Sequence, residues 1–192
     1  MMRIITGSAR GTHLQTLQGD ATRPTSERAK EALFSMLGDK PVNARVLDLF
    51  AGSGQLGLEA LSRGAAAAVF VDGSKQATEV VRKNAERTHL LPKAKILTGD
   101  ALAYLRSCRE TPFDLVFLDP PYAAGLLPEC LVLLQEKKLL SPRALVAVES
   151  GAPTDLSGEY AHLAEKYEIQ RQARYGVAHV TLLRPRLTEQ GE

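Results

Sequence analysis

Asp48-Leu49-Phe50-Ala51-Gly52-Ser53-Gly54-Gln55-Leu56-Gly57 is the stretch that decides the fold. It closes the β-rich run Ala44–Phe50 and opens a helical stretch that reaches to about Arg63. A glycine-rich turn there lets the backbone approach a ligand closely and presents unpaired amides at a helix N-terminus. Gly52, Gly54 and Gly57 match G-x-G-x-x-G, so a dinucleotide such as NAD is one candidate ligand. Asp48 argues for another. A carboxylate at the end of the first strand repels a pyrophosphate but suits the cationic amino-acid end of S-adenosylmethionine.

Downstream, short β-rich runs alternate with helices, as in a parallel sheet covered on both faces. Ala67–Asp72 reads as a second strand, and Ser74 is a plausible N-cap for a helix to about Thr88. Ala94–Thr98 reads as a third strand, with a helix after Asp100. Phe113–Asp119 is a fourth, stopped by Pro120-Pro121 because proline cannot continue a central ladder. A helix near 126–136 leads to a fifth strand, Ala144–Glu149. The alternation then breaks: 165–174 and 177–184 read as two strands joined by a hairpin at Tyr175-Gly176. An open α/β sheet closed by an antiparallel hairpin, seven strands in all, is the Rossmann-like arrangement of S-adenosylmethionine methyltransferases. Upstream, Arg3–Thr6 and Thr12–Leu17 suggest a small hairpin around Gly7 and Gly11, and Thr25 or Ser26 a cap for a helix to about Leu37. The expected organisation is an extension over 1–40, a methyltransferase domain over 41–186 and a tail over 187–192.

The successive strand ends carry Asp48, Asp72 and Asp100, on the edge where open α/β sheets bind ligands. Asp72, followed by Gly73, is placed to accept from ribose hydroxyls, and Asp100, followed by Ala101, from the adenine amino group. Phe50, Ala51, Gly52, Ser53 and Gly54 complete the expected cofactor site. Each carboxylate taken singly reads equally well as a helix cap. The fourth strand ends in Asp119-Pro120-Pro121-Tyr122 against the same crevice. An exocyclic amine on a purine is a poor nucleophile, its lone pair being delocalised into the ring. Asp119 and the Pro120 carbonyl, aimed by the fixed φ of proline, can accept from its two N–H groups and turn the nitrogen toward a methyl donor. Tyr122 would stack on a flipped base.

Composition is permissive. The chain of 192 residues is 44% hydrophobic and 24% charged, with a net charge of +2, values ordinary for one globular domain. It has no apolar run of membrane-spanning length and no signal-peptide pattern, so a cytoplasmic location is expected. Residues 1–30 hold five basic residues (Arg3, Arg10, Arg23, Arg28, Lys30) against Asp20 and Glu27. A solvated face is the ordinary reading of so small a surplus. Cys108 and Cys130 lack metal-ligand spacing and read as reduced thiols. The four histidines lie far apart, and no metal is expected.

At these residues the chain resembles the RsmD family, bacterial small-subunit (16S) ribosomal RNA guanine-N2 methyltransferases. The resemblance rests on Arg3–Gly7 with Arg10-Gly11, on Thr22–Arg28 followed by Lys30–Phe34, on Leu47–Gly54, on Gly57–Ala65 and on Asp119–Tyr122. Asp-Pro-Pro-Tyr is shared with adenine and cytosine amino-methyltransferases and fixes chemistry rather than substrate. The resemblance implies S-adenosyl-L-methionine as cofactor and ribosomal RNA, in an assembling subunit, as partner. It implies that the N-terminal extension contacts RNA phosphates and closes over the cofactor, with Arg10, Arg23, Thr25 and Arg28 as the contacts. Adenine-N6 methylation of DNA or RNA is the alternative within this chemistry. A catalytically inactive nucleic-acid-binding module is the alternative outside it. A monomer is expected.

Overall fold

The computed structural model describes residues 2–17, 27–121, 125–157 and 161–186. Seven strands form one sheet: β1 (Arg45–Leu49), β2 (Ala67–Asp72), β3 (Ala94–Thr98), β4 (Phe113–Leu118), β5 (Leu140–Ser150), β6 (Tyr167–Tyr175) and β7 (Ala178–Pro185). Their order across the sheet is β3-β2-β1-β4-β5-β7-β6. The first five are parallel, while β7 runs antiparallel to both β5 and β6. Val46, Leu47, Leu49, Val116, Phe117 and Leu118 are all essentially inaccessible. That is why the central strands read as unbroken apolar runs: helices cover both faces.

The helices are α1 (Glu27–Leu37), α2 (Gln55–Ser62), α3 (Lys75–Arg87), α4 (Ala101–Ser107), α5 (Leu127–Glu136) and the single turn α6 (Ala161–Ala164). Two apolar clusters result, one on each face of the sheet. Met2, Ile4, Ala9 and Leu14 from the N-terminal segment, and Leu33, Phe34 and Leu37 from α1, belong to the same cluster as Val46, Phe70 and Phe117. Phe34 stacks obliquely on Phe117, ring centroids 5.8 Å apart.

The strand order also separates the two ligand candidates. The dinucleotide-binding sheet is built from two parallel halves in the order 3-2-1-4-5-6. Here an antiparallel β7 is inserted between β5 and β6, the arrangement of methyltransferases.

Some boundaries differ from the sequence reading. The N-terminal hairpin is a single antiparallel bridge, Arg3 to His13, rather than two strands. Its backbone bonds, Ile4 N–H to Thr12 O (3.0 Å) and Leu14 N–H to Met2 O (3.0 Å), end where the chain turns to bond the core. β5 begins at Leu140, four residues early, because its pairing with β4 shifts register between Phe113 and Leu115 and leaves 142 and 143 exposed. No helix was expected where α6 forms. The Thr25 or Ser26 cap and the tail over 187–192 lie outside the described residues. Cys108 and Cys130 are free thiols, and burial pushes that of Cys130 up to about 12. No described helix is long and apolar enough to cross a membrane.

Candidate active site

The turn after β1 is built under backbone strain. Phe50 has φ 71°, a left-handed conformation costly for a side chain with a Cβ. It is held there because the Phe50 and Ala51 N–H groups both donate to the Val71 carbonyl of β2, each at 3.0 Å. Gly52 and Gly54 follow at φ 56° and 76°, conformations that glycine adopts without penalty. Gly57 has a different role. A Cβ there would lie 2.3 Å from the Phe70 ring and 3.0 Å from Asp48 Oδ2. Without one, α2 closes onto β2, and the Gly57 N–H donates to Asp48 at 2.8 Å.

Asp48 is buried, and burial pushes its carboxyl up to about 7; the Gly57 hydrogen bond opposes that rise, and the nearby Asp72 charge adds to it. Asp72 is fixed at both oxygens, accepting from Gly52 N–H and Ser74 N–H at 2.8 Å each. Ser74 caps α3 in turn, accepting from Ala77 N–H at 3.3 Å. Asp119 lies one residue beyond β4, beside the β1 turn, because Leu49 pairs with Leu118. Burial first, then the charges of Glu149 and Asp48, raise its carboxyl well above the ordinary range. No lysine or arginine pairs with Asp48, Asp72 or Asp119 among the described residues.

That arrangement fits S-adenosylmethionine. Acids crowded on one edge, one of them near neutral pH in its titration, call for a ligand that brings positive charge. The donor carries it at both its ammonium and its sulfonium. Asp48, Asp72 and the Phe50–Gly54 turn are the residues able to hold it, with Gly73 exposed beside Asp72 and Ala101 buried beneath the edge. Asp100, exposed just beyond the end of β3, also caps α4, accepting from Ala103 N–H at 2.8 Å through Oδ1.

Pro120 is buried and Pro121 exposed at the mouth of a cleft of about 380 Å³, bordered also by Leu126, Leu131, Glu149 and Ser150. Its walls are mostly apolar, as binding clefts are. Tyr122, Arg23 and Thr25 lie outside the described residues. Arg10 and Arg28 are exposed. Lys30, counted in the basic surplus, is instead fully buried: its ammonium donates to the Arg3 carbonyl at 2.6 Å and lies 3.6 Å from Glu59. Sequence reasoning also missed Glu149, which it left as the last residue of a strand, and Asn84. Asn84 ties the N-terminal segment to the glycine turn. Its amide donates to Ser53 O (2.9 Å) and Gln15 O (3.0 Å), while its carbonyl accepts from Gln15 N–H (2.8 Å). An asparagine in the middle of a helix is the one signal that pointed to it.

The fold and the strand-end acids define a Rossmann-like methyltransferase with an Asp-Pro-Pro motif against its cofactor edge. Residues 2–184 match the family described as Conserved hypothetical protein 95. The chain is 36% identical over 187 residues to the Bacillus subtilis putative rRNA methyltransferase YlbH, covering 96% of this chain and all of that one. It is 40% identical over 157 residues to the Escherichia coli ribosomal RNA small subunit methyltransferase D, covering 80% of this chain and 78% of that one. The solved structure of the E. coli putative methyltransferase YhhF superposes with a TM-score of 0.82 at 34% identity, covering 97% of this chain and 99% of that one. The chain belongs to this family, that of the small-subunit ribosomal RNA methyltransferase D proteins.

Proposed function

We propose that the protein methylates the exocyclic N2 amino group of a guanine in small-subunit ribosomal RNA, using S-adenosylmethionine. The observation that carries this reading is the adjacency of β1 and β4. It sets Asp119, one residue beyond β4 and followed by Pro120, beside the strained turn after β1 that is proposed to meet the cofactor. When bound, S-adenosylmethionine supplies an electrophilic methyl group on a sulfonium. The chain's own residues do the rest. Asp119 accepts one N–H of the amine at a carboxyl oxygen and the Pro120 carbonyl accepts the other, so that the nitrogen lone pair turns out of the ring plane. Most of the acceleration comes from holding that lone pair in line with the methyl group. Tyr122 stacks on the flipped nucleobase. No strong general base is needed, because the methylated amine sheds its proton readily.

The named relatives support ribosomal RNA as substrate, and Arg10, Arg23, Thr25 and Arg28 are proposed as its phosphate contacts. The protein is expected to act as a monomer in the cytoplasm, on an assembling subunit. The test is methyl transfer from labelled S-adenosylmethionine to small subunits from a strain lacking this gene, with nucleosides identified by mass spectrometry. N2-methylguanosine is expected with the unmutated protein, and at least 100-fold less of it with Asp119→Ala, on the scale of losing one positioned polar group at a transition state. Label in adenine would replace the guanine reading by the adenine one. No transfer to any nucleic acid would leave a binding module.

A further inference from the structure

Glu149 takes no part in the chemistry assigned to Asp119 and Pro120, yet it sits beside them. Strands β4 and β5 are parallel with Leu118 opposite Val148. One residue further on, Asp119 and Glu149 stand side by side at the carboxyl ends of adjacent strands. The Glu149 charge is the largest electrostatic influence on Asp119 after burial itself. Glu149 is only 8% exposed and borders the same cleft as Pro120 and Pro121. The positions before it on β5, Ala144 to Val148, are all apolar and buried. A second buried acid beside Asp119 costs folding free energy, since like charges out of water disfavour one another.

The two purines differ in what they would offer this pair. Adenine presents two N–H groups on N6 beside a bare N1 lone pair. Guanine presents two N–H groups on N2 beside a third on N1. Asp119 and the Pro120 carbonyl suffice for either amine, so they do not choose between the bases. We propose that Glu149 makes the choice: its carboxylate accepts the N1–H of guanine while its neighbours hold the N2 amine. An adenine in the same place would turn its N1 lone pair toward that carboxylate and be repelled. A site shaped to accept a particular N–H discriminates against the analogue that lacks it, because a lone pair then faces the carboxylate where a donor would have been. This inference rests on the amino-methylation reading of the same site.

The experiment replaces the methylated guanine by 2-aminopurine in splint-ligated 16S RNA assembled into subunits. 2-Aminopurine keeps the 2-amino group but bears a lone pair at N1. The unmutated protein is expected to methylate it about 10- to 100-fold more slowly than guanine, the discrimination typical of one specific base contact. Glu149→Gln offers N1 an amide donor instead. It should lose rate on guanine, gain rate on 2-aminopurine, and bring the two within about threefold. An unchanged preference in the glutamine variant overturns the role of Glu149 while leaving N2-methylguanosine, and the parent reading, intact. Should that variant not fold, the unmutated protein decides alone: equal rates on the two bases overturn the proposal. Label in adenine rather than guanine overturns both readings, and the nucleoside analysis tells the cases apart.

Discussion

Two buried acid groups, those of Glu59 and Asp48, lie on either side of the β1 turn, and the protein treats them oppositely. Glu59, on α2, is completely enclosed and fully provided for. It accepts from Ile5 N–H at 2.8 Å, Thr6 N–H at 3.0 Å and Arg63 Nε–H at 2.9 Å, and lies 3.6 Å from the Lys30 ammonium. Asp48, only eleven residues earlier, has a single backbone donor and a carboxyl raised to about 7. The first group is satisfied by the chain and pins the N-terminal segment and α1 to the core. The second is held in place by the chain without a paired cation among the described residues, which fits the proposed completion of its charge by a cationic ligand. A carboxylate's burial therefore says little about its role; the source of its countercharge says more.

Removing Glu59 should break the contrast most severely. Glu59→Ala strands the Lys30 ammonium in the core and leaves the amides of Ile5 and Thr6 without acceptors. Breaking a buried pair from one side costs about 3–5 kcal/mol. Denaturant unfolding should show a loss of that size, and an unfolding free energy within about 1 kcal/mol of the unmutated protein would mean that the N-terminal segment is not anchored here.

Asp48→Asn should move stability the other way. A carboxyl raised from 3.8 to about 7 in the folded state contributes stability that is present below the unfolded value and lost progressively as pH rises from there through about 7. Above that, the ionised Asp48 destabilises the fold by up to about 4 kcal/mol, the free energy that corresponds to so large a rise in a buried carboxyl. An asparagine keeps an acceptor for Gly57 N–H and escapes that cost. Without cofactor, the variant should be the more stable of the two at pH 8 and equal to the unmutated protein near pH 4. Saturating S-adenosylmethionine should reverse the order at pH 8, because only the carboxylate gains from the ligand's charge. Parallel melting curves at pH 4 and 8 would expose a wrong sign at once.

This asymmetry explains what was legible in the sequence. The candidate site acids stood out because a strand–turn–helix unit gathers its polar groups within ten residues: Asp48 through Gly57 is contiguous, and Asp119-Pro120-Pro121 terminates its own strand. Ser74 as a cap was legible for the same local reason. The Glu59 anchor was not, because Ile5 and Thr6 reach it across 54 and 53 residues. Lys30 looked like one more charge of a basic segment, since helical spacing with Leu33, Phe34 and Leu37 does not say whether a lysine on that stripe is enclosed. Glu149 was hidden by its neighbours, an acid closing an apolar strand being the ordinary way for a strand to end. Asp100 carries both of its readings: a strand-end aspartate and an N-cap share one sequence pattern, and the cap here engages one carboxylate oxygen, Oδ1.

Gly57 joins the two acid groups, lying on α2 two residues before Glu59 and donating to Asp48. Gly57→Ala drives a methyl group into the Phe70 ring, 2.3 Å from its intended place. Overpacking of this kind costs about 1–3 kcal/mol. The ring is side chain rather than backbone and has some room to yield, so the effect should fall below that of Glu59→Ala. Because α2 must lift off β2 to accept the methyl group, the Asp48 hydrogen bond should lengthen, and cofactor affinity should drop along with stability. Calorimetric titration with S-adenosylmethionine checks this. Lost stability with unchanged affinity would mean that Phe70 absorbs the strain alone.

The smallest expected effect is the sharpest test of why Glu59 is stable where it is. Burial lowers the Lys30 ammonium below its ordinary value, with Glu59 opposing that shift, so the lysine is not simply a stabilising partner. Lys30→Met removes the desolvated charge and keeps most of the volume. Glu59 would retain Ile5 N–H, Thr6 N–H and the Arg63 guanidinium, which itself lies 4.7 Å over the Phe34 ring. Exchanging one buried charge for an apolar chain, with three donors left to the remaining carboxylate, should change stability by about 1 kcal/mol or less in either direction. A loss as large as that of Glu59→Ala would show that the ion pair, rather than the backbone amides, holds the anchor. In that case the difference between the two acid groups would lie in the presence of a cation alone.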